Sequence, residues 1–71
     1  MEHIVRERYD VYAMWQLGAW HQTYAYKTLD YARLKAQFVS GRDFCPVKVV
    51  NVKTKQVAEV WEDGFKVYPE E

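Results

Sequence analysis

Apolar and polar positions alternate from Arg8 to Gln16. Tyr9, Val11, Ala13 and Trp15 take one side, and Asp10, Tyr12, Met14 and Gln16 the other. Period two with aromatic and β-branched content predicts a strand. Leu17-Gly18-Ala19 supplies a turn. Trp20 to Lys27 predicts a second strand, with Trp20, Gln22, Tyr24 and Tyr26 on one face, so the two runs form a hairpin. The period changes at Thr28, whose hydroxyl suits an N-cap. Asp30 places a negative charge in the first turn of the helix that follows. That helix is expected over Leu29 to Ser40, with Gly41 as its left-handed stop. After Pro46, the valine-rich run from Val47 to Val52 predicts a strand. Lys53-Thr54-Lys55-Gln56 predicts a turn, and Val57 to Glu62 the partner strand. Asp63-Gly64 is the signal of a two-residue type I′ hairpin, because both positions need positive φ. Phe65 to Tyr68 then forms a short last strand before Pro69. The order β-β-α-β-β-β predicts an α+β domain spanning residues 1–71, an antiparallel sheet with one helix packed on one face.

One helix covers one face of a sheet, yet this helix carries apolar residues on two stripes. Leu29, Ala32, Ala36 and Val39 lie at i, i+3, i+7 and i+10. Tyr31, Leu34 and Phe38 form a second stripe displaced around the axis, with Lys35 between the two. An ordinary surface helix has one such stripe. The small side chains of Ala32 and Ala36 suit close approach to a sheet, which assigns the first stripe to the core. The second has two outcomes. Either the sheet curls far enough to bury it, with Lys35 reaching out between the stripes, or it stays exposed as a contact surface for another chain.

Composition sharpens that choice. Apolar residues make up 49% of the 71 and aromatics 17%, more rings than one small core needs. Ten basic residues balance ten acidic ones. A duplex-DNA binder carries a basic excess and a DNA mimic an acidic one, so neither is indicated. Zero net charge favours association, with a homodimer or another partner as the expectation. Cys45 is the only cysteine, so no intramolecular disulfide forms, and beside Pro46 it reads as a small buried hydrophobe. No apolar run reaches membrane-spanning length, and Met1-Glu2-His3-Ile4-Val5-Arg6 lacks the apolar stretch of a leader. The expected setting is the cytoplasm, without a membrane.

Catalytic and ligand chemistry finds little to build on. Gly18, Gly41 and Gly64 are scattered rather than forming a phosphate loop. His3 and His21 lack neighbouring ligand patterns, so no metal and no cofactor is expected. Cys45, His21 and Asp43 have no spacing that supports a nucleophilic triad. Glu59 and Glu62, on opposite faces of their strand, read as solubilising charges rather than an acid–base pair. The chain is expected not to be an enzyme. Tyr12, Trp61 and Tyr68 are expected together on the open sheet face, with Lys48, Lys53, Lys55 and Lys66 nearby. Such a face stacks unpaired bases in single-stranded nucleic-acid binders.

The stretch from Thr23 to Tyr68 resembles small phage-encoded inhibitors of the type I-F anti-CRISPR kind, five strands around one helix. The resemblance rests on Thr28-Leu29-Asp30-Tyr31-Ala32 at the helix start, the valine-rich strand after the helix and the Glu62-Asp63-Gly64 hairpin. It implies a compact viral protein, acting in a host cytoplasm, that occludes a surface on a larger protein or protein–nucleic-acid complex. It also makes Lys53 and Lys55 candidates for covering a nucleic-acid channel. The leading expectation is a non-enzymatic protein-interaction module. Its candidate contact residues are Tyr31, Leu34 and Phe38 on the helix, Tyr12, Trp61 and Tyr68 on the sheet, and Lys53 and Lys55 in a turn. The alternative is a single-stranded nucleic-acid binder using the aromatic sheet face.

Overall fold

The computed structural model describes residues 8–69. Residues 1–7, which include His3, and Glu70 and Glu71 lie outside that range. Five strands and one helix follow the expected order: β1 (Tyr9–Gln16), β2 (Ala19–Tyr26), α1 (Leu29–Asp43), β3 (Val47–Asn51), β4 (Gln56–Glu62) and β5 (Phe65–Tyr68). The strands form one sheet in the order β2-β1-β3-β4-β5, antiparallel throughout. Three strand-connecting turns use positive φ: Gly18 at +83° between β1 and β2, Lys55 at 62° between β3 and β4, and Asp63 at 53° with Gly64 at +85° between β4 and β5.

The helix lies on one face and makes a small core with Val11, Ala13, Val47, Val49 and Trp61 from the sheet. Ala32, Ala36 and Val39 come down from above, with Cys45 at the end. The two alanines let the helix backbone approach closely, as their spacing predicts. Thr28 accepts a hydrogen bond from the Tyr31 amide at 3.4 Å and caps the helix start.

The helix does not stop at Gly41. It continues to Asp43, and Phe44 takes the left-handed position at φ 50°, ψ 49°. Gly41 lies inside the last helical turn, beside the β4–β5 turn. A Cβ there would stand 3.5 Å from the Gly64 Cα, so the β4–β5 turn sits directly against the last helical turn. Buried Ser40 ties the two together: its Oγ donates to the Gln37 carbonyl and accepts from the Gly64 amide at 3.0 Å.

Register irregularities decide which side chains share a face, because a slip of one residue turns a strand over. In β2, Tyr24 pairs with Val11 but Gln22 pairs with Tyr12, leaving Thr23 as an extra residue. Its hydroxyl donates to the Val11 carbonyl at 3.1 Å. The expected single face of Trp20, Gln22, Tyr24 and Tyr26 is therefore split. Tyr24 and Tyr26 turn toward the helix, and Trp20 and Gln22 lie on the open face. In β5, Trp61 pairs with Lys66 but Val60 pairs with Tyr68, so Val67 is the extra residue. Without it Tyr68 would share a face with Trp61; with it the two part.

Candidate functional site

The second stripe of α1 is exposed. Tyr31, Leu34 and Phe38 are 66%, 63% and 55% accessible. The sheet does not curl around them, so the second stripe is not part of the core. They line an open groove of about 380 Å³ with Tyr26 and Lys35. The bulge at Thr23 explains why β2 contributes. It brings Tyr24 and Tyr26 to the helix side, where the three rings of Tyr24, Tyr26 and Tyr31 stack in series at 6.1 and 6.4 Å. Lys35 sits beside this series, its Nζ 4.1 Å from the Tyr24 ring centre and 5.4 Å from that of Phe38. The Arg42 guanidinium approaches Phe38 at 5.2 Å. One wall of the groove is therefore aromatic and cationic, a surface suited to apolar groups accompanied by negative charge.

The helix flank away from the groove is held by a different device. Glu59, expected to be a solvated charge, is only 3% exposed. It accepts from Arg33 Nε at 2.9 Å and Nη2 at 2.7 Å, and its other oxygen accepts from Trp61 Nε1 at 3.0 Å. The hydrogen bond and charge of Glu59 raise the Arg33 pKa above its ordinary value. The pair fixes helix to sheet and so fixes which way the outer stripe points. The far end is tied by Asp43, which accepts from Arg42 at 2.8 Å and from Trp15 Nε1 at 2.8 Å. These bonds hold the Asp43 carboxyl at about 2, below the usual 3.8.

The open-face cluster expected from Tyr12, Trp61 and Tyr68 does not form. Trp61 is 8% exposed, opposite Val47 under the helix. Tyr12 and Tyr68 do lie on the open face. Trp20 joins Tyr12 there, and Lys48 Nζ lies 4.5 and 5.4 Å from the Trp20 and Tyr12 ring centres. Trp20 was missed as a partner of Tyr12 because the bulge that turns β2 over leaves no mark in the residue pattern. Lys53 and Lys55 are exposed in the β3–β4 turn, which Asn51 organises by accepting from the amides of Lys53 and Thr54. The turn closes the end of the sheet where α1 begins. Cys45 is buried, which pushes its thiol pKa up. Among the described residues, no group of three or more His, Cys, Asp and Glu is placed to hold a metal ion, and no helix is long and apolar enough to cross a membrane. Compared with protein families, characterised proteins and solved structures, the chain matches none.

Proposed function

We propose that this chain is a non-enzymatic protein-interaction module, and that the outer face of α1 is where it docks. The observation that carries this reading is the contiguous exposed stripe of Tyr31, Leu34 and Phe38 beside its groove. Full burial of such a side chain is worth roughly 1.5–3 kcal/mol each. The fold leaves most of that burial unused, and a partner surface recovers it. Interfaces are dominated by a few aromatic and arginine anchors in desolvated pockets, and Tyr31, Phe38 and Arg42 are of that kind. A module of this size acts by covering a surface on a larger assembly, as the resemblance to phage-encoded inhibitors implies.

Replacing Phe38 with a photo-crosslinking phenylalanine in cells that produce the chain tests this. The proposal expects a discrete protein adduct, lost in the Leu34→Glu background and absent when the crosslinker replaces Tyr68. Adducts indifferent to Leu34→Glu, or formed at Tyr68 alone, would overturn it. The alternative, stacking of unpaired bases on the open face, rests on Tyr12, Trp20 and Lys48 and has lost Trp61. It requires binding of single-stranded RNA or DNA at low salt that weakens with Trp20→Ala.

A further inference from the structure

We infer that the groove and the free edge of β2 are one site, which takes an extended segment of another protein as an added strand bearing a carboxylate opposite Lys35. This deepens the reading above and rests on it.

Among the described residues, the sheet has two edges, β2 and β5. Exposed edges pair with other strands unless they are short, charged or interrupted by proline. β5 has all three protections: four residues, Lys66 within it and Pro69 directly after it. β2 runs for eight residues, AWHQTYAY, without a charge or a proline. Its pairing with β1 is irregular at Thr23 and again around Trp20, and the bulge at Thr23 divides the edge into two arms. The arm Tyr24–Tyr26 is the one beside the groove, because Tyr26 lines it and Tyr24 lies under Lys35. A strand paired with that arm places every second side chain on the helix side of the sheet. Those side chains meet Tyr31, Leu34 and Phe38. Main-chain hydrogen bonds then give affinity and the groove gives selectivity, as in other strand-addition sites.

Charge identifies the occupant. Among the described residues, Lys35 is the only ionised one lining the groove, and it lies over aromatic rings. A carboxylate on the incoming strand completes it. A second copy offering its own β2 does not, since Ala19–Tyr26 contains no acidic residue and the two-fold axis brings Lys35 toward its own copy.

The test uses fluorescein-labelled peptides of the pattern Thr-Leu-Thr-Glu-Thr-Val-Thr, with the glutamate stepped through the helix-side positions, titrated into the full chain by anisotropy. At least one register is expected to bind, with amide shifts centred on β2. Its lysine counterpart is expected to bind at least tenfold more weakly, and the Lys35→Glu variant to reverse that preference. Lys35→Met, which keeps the aliphatic stem, is expected to bind both peptides equally. Methylating alternate peptide nitrogens is expected to abolish binding. The inference is overturned by no binding at millimolar peptide, by indifference to N-methylation, or by an unchanged preference in Lys35→Glu. It is also overturned if a helical peptide crosslinks at residue 38 while the extended ones do not bind. That last outcome leaves the protein-binding reading of the helix standing.

Discussion

Replacing Arg33 with methionine leaves the Glu59 carboxylate buried with only the Trp61 indole as donor. Methionine keeps much of the stem that packs along the helix, so the variant isolates the loss of the guanidinium. Removing one partner of a buried ion pair costs roughly 3–5 kcal/mol. Here the Arg33 side chain is 42% exposed while that of Glu59 is 4% exposed. Water reaches the vacated guanidinium position, which places the expected cost lower, at about 2–3 kcal/mol. A 71-residue domain has roughly 4–10 kcal/mol in total, so the loss is large but survivable. Urea unfolding followed by tryptophan fluorescence reads it directly, since Trp61 contacts Glu59. With a slope of about 1 kcal/mol per molar, the midpoint falls by about 2–3 M. Adding Glu59→Met removes the stranded charge and is expected to restore most of the stability. A single variant within about 0.5 kcal/mol of the parent, or a double variant no better than the single, would refute the assignment of Arg33 and Glu59 as the clamp between helix and sheet.

The Asp43 carboxyl is held at about 2, and its unfolded value is near 3.8, so its contribution to stability is fully present above about pH 4 and is lost as pH falls through about 2. Acid unfolding of the parent and of Asp43→Asn checks this: their stability difference should be constant above pH 5 and shrink between pH 4 and 2. Gly41→Ala should stabilise by about 0.5–1 kcal/mol, because the position is helical and its added Cβ meets Gly64 at ordinary contact distance. Gly64→Ala, at φ +85°, should destabilise by about 1–2 kcal/mol. Thermal melts of the two variants should move in opposite directions.

Much of the fold was legible because its local signals agree with one another. Thr28 caps where the period changes, Asp63-Gly64 turns where two apolar runs meet, and Ala32 and Ala36 mark the side of closest approach. The helix end was misread because Gly41 carries two meanings. Glycine ends helices, yet it also occurs within them; here Gly41 stays helical, and a Cβ on it would meet the β4–β5 turn at ordinary contact distance. Trp61 left the expected sheet cluster because it pairs with Val47 on the helix side, while Tyr12 pairs with Lys48 on the open face. The extra residue at Val67 puts Tyr68 on the open face with Tyr12, apart from Trp61. Bulges at Thr23 and Val67 arise from how strands settle against the core, and no residue type announces them. Glu59 looked like any strand-borne surface charge. Its burial depends on Arg33, 26 residues earlier and on another element. The outer helical stripe was visible as surplus apolar surface, and the geometry of five strands under one helix leaves it exposed.

The central claim is that Tyr31, Leu34 and Phe38 belong to a surface and not to the core. The most direct measurement is the unfolding free energy of the double variant Leu34→Glu/Phe38→Glu, with circular dichroism to confirm the fold. Exposed positions predict native secondary structure and a stability within about 1 kcal/mol of the parent. An unfolded variant, or a loss above about 3 kcal/mol of the kind that core substitutions produce, would place the stripe in the core and contradict the account.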